Sequence, residues 1–271
     1  MENIRGAFAL KNHEFIKADE FHYVLEKDNV YEVIRIIQGV PLFLEEHLER
    51  MEASINLLNM PYTFSQLEIK RLMEDLCHKN DFTKGNIKLV VNGEKIPALY
   101  LYFIPHSYPD AFLYTEGIRT KTIFLERSNP NAKVVRLSYK EKVTSFIEEH
   151  QIYEALLVNR DGEITEGSKS NVFFVLDGTL FTPPLKDVLG GVTRKRILQI
   201  AEELSLPVKE EPVTLSDLSR MEAVFISGTS PKILPISKID EKELSSTSHP
   251  MVLKLLNAYN DRIQDYITSH L

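Results

Sequence analysis

The chain has 271 residues, and its hydrophobic fraction of 43% and charged fraction of 26% are ordinary for a soluble globular protein. The formal net charge of −7 disfavours a nucleic-acid partner, which would select for a basic surface. No window reaches the roughly 18 to 20 apolar residues of a membrane span, and the polar start of the chain does not resemble a signal peptide. The single cysteine, Cys77, cannot form an intramolecular disulfide and is expected to be a buried structural thiol. We therefore expect a cytoplasmic protein.

The first hundred residues alternate between strand and helix patterns. These patterns predict strands over 5–12, 20–37, 86–91 and 98–104, and helices over 45–58 and from Ser65 onwards. The run Val30–Ile37 is too apolar for a strand with one face in water, so we expect it near the centre of a sheet. Ser65 and Glu68 form the capping-box pattern that marks the start of a helix.

The pattern weakens between Pro105 and Pro130 and then resumes. Beyond it, the sequence predicts helices over 139–149, 193–204 and 249–268, strands over 153–158, 171–176, 208–213 and 222–227, and a hairpin turn at Asp177-Gly178. We predict an α+β fold in two domains, divided where the pattern weakens. The predicted parts are a small α/β domain over 1–117, a linker over 118–131 and a larger, β-rich domain with flanking helices over 132–271.

Two turns in the second half carry residues that suit an anion. Gly190-Gly191-Val192-Thr193 opens a predicted helix, whose first N–H groups and positive dipole end favour a phosphate. The alternative is a plain glycine turn in which Thr193 only caps the helix. Ser227-Gly228-Thr229-Ser230 follows an apolar strand, and it either binds phosphate or simply turns the chain.

Three charged residues are candidates for catalysis or binding. Glu166 stands among small polar residues, where a carboxylate could keep a pyridine nitrogen protonated; a plain turn glutamate is the alternative. Arg50 lies on the polar side of a predicted helix, where an ordinary surface pair with Glu46 is the alternative to anion binding. Lys133 begins an apolar segment, which favours its neutral, nucleophilic form; a lysine whose ammonium extends to the surface is the alternative. Composition and local spacing do not distinguish Lys133 from Lys140.

Together these pieces resemble the class IV pyridoxal-phosphate-dependent aminotransferases, the fold type IV family of branched-chain and D-amino-acid aminotransferases and aminodeoxychorismate lyases. The resemblance extends over about residues 20–240, and its strength lies in the joint order and spacing of motifs that are individually weak. The matching segments are Val30-Tyr31-Glu32-Val33, Glu46-His47-Leu48-Glu49-Arg50, the Lys133 segment, Tyr153-Glu154-Ala155-Leu156-Leu157, Thr165-Glu166-Gly167-Ser168 with Ser170-Asn171, Thr182-Pro183-Pro184, Gly191-Val192-Thr193-Arg194 and Phe225-Ile226-Ser227-Gly228-Thr229.

The resemblance implies a role for each matching residue. Lys133 would form the Schiff base with pyridoxal 5'-phosphate, because it stands twenty residues before Tyr153, the spacing of the family, and Lys140 does not. Glu166 would pair with the pyridine nitrogen, and Tyr31 would lie over the site near the substrate. The phosphate would be held by Arg50, Val192, Thr193 and Thr229. No metal ligand is predicted.

Departures from the family pattern bear on the substrate. Glu26-Lys27-Asp28-Asn29 replaces a common glycine–aspartate–glycine turn, and Val91-Asn92-Gly93 replaces the threonine–arginine–glycine run of D-amino-acid aminotransferases. Arg136 stands where the family has an asparagine. These differences argue against D-amino-acid specificity. The cations that could bind a substrate carboxylate instead are Arg35, Arg119, Arg127, Arg136 and Lys169.

The resemblance implies an aminotransferase that exchanges an amino group between an amino acid, branched-chain or similar, and a 2-oxo acid. Family members are usually homodimers, with the active site between the two domains and a loop contributed by the partner subunit. A 4-amino-4-deoxychorismate lyase, which would release pyruvate and 4-aminobenzoate, is the alternative use of the same site. A third interpretation is a binding or regulatory protein that keeps the fold without turnover.

Overall fold

A computed structural model gives the fold of residues 3–23, 29–94, 96–127, 129–135 and 137–271. Contacts between residues divide the chain into two compact units. The first unit is Met1–Ser107, Ala132–Leu137 and Ile263–Leu271, and the second is Tyr108–Asn131 and Ser138–Arg262. Both units are discontinuous in sequence, whereas the predicted domains are continuous, and the predicted boundaries remain predictions. Lys133 belongs to the first unit.

The first unit is built on an antiparallel sheet. Its elements are β1 (Arg5–Lys11), β2 (Glu14–Lys17), β3 (Val30–Ile37), β4 (Val40–Pro41), α1 (Leu44–Leu57), α2 (Gln66–Asn80), β5 (Lys84–Val91) and β6 (Leu99–Ile104). In the described residues the strand order is β2-β1-β6-β5-β3-β4. The predicted strand β3 pairs with β5 along its whole length. Its other edge carries the two-residue β4 at one end and an antiparallel bridge from Val30 to Val134 at the other.

Alternation along β3 sorts its side chains between the two faces of this sheet. One face packs on α1 and α2, whose apolar residues recur at helical spacing. The core residues contributed by the two helices include Leu48, Met51, Ile55, Ile69, Met73 and Leu76. From β3, Ile34 and Ile36 join this core, and Glu32 is fully buried on the same side. Tyr31 lies on the opposite face, against a cluster that contains Tyr23 and Tyr100.

The second unit is built on a longer, mixed sheet. Its elements are α3 (Ala111–Glu116), β7 (Ile118–Phe124), α4 (Leu137–His150), β8 (Glu154–Val158), β9 (Glu163–Gly167), β10 (Asn171–Leu176), β11 (Thr179–Thr182), α5 (Val192–Glu203), β12 (Val208–Glu210), β13 (Val213–Thr214), β14 (Ala223–Gly228), β15 (Lys232–Ile239), β16 (Lys242–Glu243) and most of α6 (Pro250–His270). Among the described residues the order is β12-β11-β10-β14-β15-β7-β8-β9-β13, with β16 on β15. None of the described helices is both long and apolar enough to cross a membrane.

The central strands β10 and β14 divide their side chains between two faces in the same way. Val172, Phe174, Val224 and Ile226 share one face and a single hydrophobic core, as shown by their common cluster and their pairing register. On the other face Phe173 stacks on Phe225, with ring centres 5.0 Å apart. Asn171 pairs with Ser227 in this register, so both side chains lie on the Phe173 face, at the same end of the sheet.

Several local predictions needed correction. Of the predicted strand over 20–37, Glu20 ends a short 3₁₀ turn and the described strand begins only at Val30; residues 24–28 lie outside the described part. Ser65 does precede α2, but its side chain makes no capping bond, and Glu68 approaches His13 instead. Sequence analysis also missed β7 and β15, which pair in parallel at the middle of the second sheet.

Candidate active site

The backbone of Lys133 is fixed between β3 and α1. The N–H of Tyr31 donates to the Lys133 carbonyl at 3.1 Å. The N–H of Lys133 donates to Ser54 Oγ at 3.3 Å, and that hydroxyl donates to the Arg50 carbonyl at 2.9 Å. Hydrogen bonds to β3 and α1 therefore fix the position of the backbone from which the Lys133 side chain extends.

The ammonium of Lys133 lies over an aromatic ring. Its Nζ is 4.8 Å from the centre of the Tyr31 ring, within the range of a cation–π contact. The Nζ of Lys88, on β5, is 5.1 Å from the same ring, and Lys88 is buried. Sequence analysis missed Lys88. The signal that could have found it is a lysine flanked by Ile87 and Leu89 within an apolar strand, since lysine is rarely buried unless it is paired.

Glu32, His47 and Arg50 form a buried charge network close enough to Lys133 for its charge to act on His47. Arg50 donates to both oxygens of Glu32, from Nε at 2.7 Å and from Nη2 at 2.6 Å. His47 Nδ1 lies 2.7 Å from Glu32 Oε2 and donates to it when that nitrogen carries the proton. This bidentate geometry fixes the guanidinium plane. The pair of Arg50 with Glu46 that the sequence offers as the alternative stays a prediction, whereas Arg50 is observed on Glu32.

The network settles the charges of its members. Burial alone would raise the pKa of Glu32, but the charge of Arg50 and the hydrogen bonds from Arg50 and His47 outweigh it and lower the pKa to about 2. Burial lowers the pKa of His47; Glu32 opposes this shift, while the charges of Arg50 and Lys133 add to it. Glu32 is thus anionic and His47 is biased towards neutrality. We call Tyr31, Glu32, His47, Arg50 and Lys133 the lysine cluster.

Glu166 is a buried acid at the end of β9, in the second unit. Arg127 Nη1 donates to its Oε1 at 2.9 Å, and the N–H of Leu189 approaches its Oε2 at 3.3 Å. The Glu166 side chain is 3% exposed and that of Arg127 is 12% exposed. A plain surface turn does not bury a carboxylate with these partners. Arg127, one of the cations predicted for the substrate, is therefore bound to the predicted cofactor acid.

The start of α5 has the features of an anion site. Gly191 is the N-cap of this helix and, as a glycine, has no side chain with which to cap the first turn. A Cβ on Gly191 would collide with Asn171 Oδ1, so a larger residue here would force the Asn171 side chain or the turn to shift. Asn171 Nδ2 donates to the Leu189 carbonyl at 2.9 Å, which holds the turn before the helix. Thr193 is buried, and its Oγ1 lies 3.4 Å from the Tyr259 hydroxyl.

Ser227 adds a polar atom to the same end of the sheet. Its Oγ is buried and has no hydrogen-bond partner within the described part of the chain. Such orphaned hydroxyls are rare in folded proteins unless a ligand or water completes them. Thr229 follows β14 in the turn to β15 and is partly exposed. We call Asn171, Gly191–Thr193, Ser227 and Thr229 the anion cradle, because an uncapped helix start and a free hydroxyl both suit a phosphate.

The remaining residues singled out from the sequence differ in their exposure. Arg119 and Lys169 are exposed and Arg35 is partly buried, while Arg136 and the turn at 26–28 lie outside the described residues. Cys77 is buried as predicted, and burial raises the pKa of its thiol to about 11.

Residues 29–239 match the model of the class IV aminotransferase family. This match covers most of the chain, and it spans the lysine cluster, Glu166 and the anion cradle. The chain belongs to the class IV aminotransferases. The family, the mixed α and β fold class and the aminotransferase class of enzyme, all predicted from the sequence, are thereby confirmed.

Curated relatives of this class IV aminotransferase carry two different substrate names. It is 30% identical over 236 residues to the D-alanine aminotransferase of Bacillus licheniformis, covering 81% of each chain. It is also 30% identical over 254 residues to the putative branched-chain-amino-acid aminotransferase of Methanocaldococcus jannaschii, covering 87% of this chain and 86% of that one.

Solved structures agree on the fold. The branched-chain amino acid aminotransferase of Thermobaculum terrenum, in its pyridoxal-phosphate form, is 25% identical with a TM-score of 0.84, covering 97% of this chain and 96% of that one. The branched-chain enzyme of Escherichia coli, at 23% identity, gives a TM-score of 0.86 with 96% and 95% coverage. A putative 4-amino-4-deoxychorismate lyase of Legionella pneumophila gives 0.80 at 20% identity, covering 90% and 97%. The fold is therefore shared by both predicted reaction types.

Proposed function

We propose that this class IV aminotransferase uses pyridoxal 5'-phosphate to exchange an amino group between an amino acid and a 2-oxo acid. The observation that carries the proposal is the lysine cluster, which fixes the backbone of Lys133 and sets its ammonium over Tyr31. The two relatives at 30% identity are both named aminotransferases, which supports transfer over elimination.

The anion cradle fits the phosphate of this cofactor. The Ser227 hydroxyl has no internal partner within the described chain, and Gly191, the N-cap of α5, brings no side chain to the start of that helix. We propose that the first N–H groups of α5, at Val192 and Thr193, bind the phosphate together with the hydroxyls of Ser227 and Thr229. Arg50 stays a proposed phosphate ligand, with its guanidinium already oriented by Glu32.

When bound, pyridoxal phosphate supplies an electron sink for the negative charge that develops at the substrate α-carbon. Lys133 is proposed to hold the cofactor and then to carry a proton between the substrate α-carbon and the cofactor C4′. Glu166 is proposed to keep the pyridine nitrogen protonated, and the hydrogen bond from Arg127 fixes the position of its carboxylate. The ring of Tyr31 faces the Lys133 ammonium.

Lys88 is our proposed cation for the substrate carboxylate. It is buried on β5 and shares the Tyr31 ring with Lys133, which puts its charge beside the proposed reacting amine. We expect Lys88→Met to raise the KM for the amino donor roughly tenfold with a smaller change in kcat, in keeping with one lost charged hydrogen bond of about 1.5 kcal/mol. Lys84→Met, at the exposed start of the same strand, is the control.

The visible absorption spectrum tests the proposed function. Purified protein loaded with pyridoxal phosphate is titrated with a panel of L- and D-amino acids. Bleaching of the visible band by particular amino acids, restored by a 2-oxo acid, is the expected result, and it also names the donor and its handedness. A band that no amino acid bleaches contradicts transamination and favours 4-amino-4-deoxychorismate cleavage with pyruvate release. The absence of any band after cofactor addition contradicts the cofactor assignment.

We also propose a cytoplasmic homodimer. The homodimer is what the family resemblance implies, and the single buried cysteine is typical of a protein from a reducing compartment. Sedimentation of the loaded protein at several concentrations measures the assembly state.

A further inference from the structure

Glu154 is a buried acid that none of the roles above uses. It is the first residue of β8 and is 4% exposed. The next strand, β9, runs antiparallel to β8, with Gly167 opposite Leu156. The chain that continues beyond Gly167 therefore passes the Glu154 side chain.

One carboxylate oxygen of Glu154 gathers three donors from this passing segment. Its Oε1 accepts from the Lys169 N–H at 2.7 Å, from Ser170 Oγ at 2.9 Å and from Ser168 Oγ at 3.3 Å. Three consecutive residues thus converge on a single atom. A buried carboxylate that accepts several hydrogen bonds is held firmly and holds its donors in return.

The segment closes tightly around this oxygen. The N–H of Gly167 donates to the Ser170 carbonyl at 2.8 Å, and Tyr139 Oη donates to the Ser168 carbonyl at 3.1 Å. A Cβ on Gly167 would lie 2.7 Å from Glu154 Oε1 and would collide with Ser170 Oγ. Only glycine therefore fits between the acid and its donors, directly after Glu166.

We propose that Glu154 is a positioning residue, whose buried carboxylate shapes the turn Gly167–Ser170 and so fixes the backbone from which the Glu166 carboxylate reaches the cofactor. Glu166 is one peptide bond from this turn, and its own oxygens are aimed by Arg127 and Leu189. The Glu166 side chain is thus held at its tip by those two groups and at its base by Glu154. The inference rests on the proposed function of Glu166.

The charge of Glu154 fits this role. Burial raises its pKa, while the Lys169 N–H, Ser170 and the Lys169 charge oppose that shift. All three of these hydrogen bonds are donated to Oε1, so an amide oxygen could replace the carboxylate oxygen there. Gln at this position therefore keeps the turn, whereas Ala removes its anchor.

The test compares Glu154→Ala, Glu154→Gln and Ser170→Ala with Glu163→Ala, a hydrogen-bonded acid of the same hairpin that does not contact the turn. The dissociation constant for pyridoxal phosphate and the visible band of the loaded protein are measured for each. Glu154→Ala is expected to weaken binding roughly 10- to 100-fold, the range for outer-shell partners of metal ligands, and to shift the band. Glu154→Gln should stay within about threefold of wild type, and Ser170→Ala, which should fold normally, should fall between them.

A double variant with Glu166→Gln separates positioning from general stability. If Glu154 acts through Glu166, Glu154→Ala adds less than about twofold to the loss in Glu166→Gln, because coupled sites are not additive. The inference would be overturned if the fold-losses in cofactor affinity of Glu154→Ala and Glu166→Gln multiplied in the double variant. It would also be overturned if Glu154→Ala had the same affinity and visible band as Glu163→Ala. If wild type does not bind the cofactor, or Glu166→Gln behaves as wild type, the proposed function of Glu166 fails instead.

Discussion

The lysine cluster and the anion cradle treat buried polar groups in opposite ways. In the lysine cluster Glu32, His47 and Arg50 satisfy one another, with both carboxylate oxygens engaged at 2.6–2.7 Å. In the anion cradle the Ser227 hydroxyl is buried without a partner in the described chain, and the first turn of α5 has no side-chain cap. The carboxylate of the first cluster is satisfied within the protein, whereas we propose that the second gains its missing partners from a ligand.

This difference suggests a division of labour. A network whose members already satisfy one another need not rearrange when the cofactor binds. It can therefore hold Lys133 and Arg50 in fixed positions beforehand, without a free-energy cost of reorganisation. Unsatisfied donors at the start of a helix instead contribute a favourable interaction only when an anion is bound, so they add to the free energy of binding. Substitutions in the lysine cluster should therefore change stability or chemistry, and those in the anion cradle should change cofactor affinity.

The largest effect is expected for Lys133→Ala. Both the covalent attachment and the proton transfer are lost, so we expect transamination to fall by roughly 10⁴-fold or more. Steady-state kinetics measure the change. Lys140→Ala, the other candidate from the sequence and an exposed residue of α4, is the control and should keep normal rates. Wild-type activity in Lys133→Ala would remove this lysine from the mechanism.

Glu32→Gln should mainly reduce stability. Removing one member of a buried ion pair leaves Arg50 without its counter-charge and His47 without its carboxylate partner, at a cost of about 3–5 kcal/mol in the free energy of unfolding measured with urea. Because the folded pKa of Glu32 is lowered to about 2, its contribution is complete above the unfolded pKa of about 4.5 and disappears as the pH falls towards 2. The variant should lack this part of the acid dependence. Glu52→Gln, exposed on α1, is the control.

Gly191→Ala should weaken cofactor binding while the fold survives. The new Cβ meets Asn171 Oδ1 and forces Asn171 or the turn to shift. Overpacking of this kind costs about 1–3 kcal/mol, and if cofactor binding requires the original turn, the same energy weakens binding roughly 5- to 150-fold. Gly190→Ala is a close control, because its Cβ would meet only Leu185 Cδ1 at 3.4 Å. Equal affinities for the two variants would show that the turn does not shape the cradle.

Ser227→Ala should give the smallest effect and the clearest contrast with Glu32→Gln. The hydroxyl makes no internal hydrogen bond in the described chain, so its loss should leave the stability of the cofactor-free protein unchanged or slightly higher. Cofactor affinity should fall by roughly two- to tenfold, the value of one net hydrogen bond. A loss of stability without loss of affinity would place this serine outside the cradle.

The sequence predicted those elements whose partners are local. Helices α1, α2 and α5 carry apolar residues at helical spacing, and β3 and β10 are apolar runs, so each is readable from its own residues. Strand β15 is different: Pro235 interrupts it, and prolines argue against a strand. It exists because β14 pairs along one side and β7 along the other, which its own composition does not reveal.

The site shows the same limit. Motif order predicted Lys133, Glu166 and the turn at Gly191 as site residues, because the resemblance depends on spacing along the sequence. The pairing of Arg127 with Glu166 joins residues 39 apart, and that of Arg50 with Glu32 joins residues 18 apart, so neither follows from spacing. Lys88 and Glu154 were missed for the same reason: their significance lies in burial and in partners brought together by the sheets.

The central claim is that Lys133 carries the cofactor. Borohydride reduction of the loaded protein, followed by proteolysis and mass spectrometry, identifies the lysine that becomes permanently joined to pyridoxal phosphate. We predict a single modified peptide, with the label on Lys133. A label on Lys88, Lys140 or another lysine, or no label at all, would contradict the account.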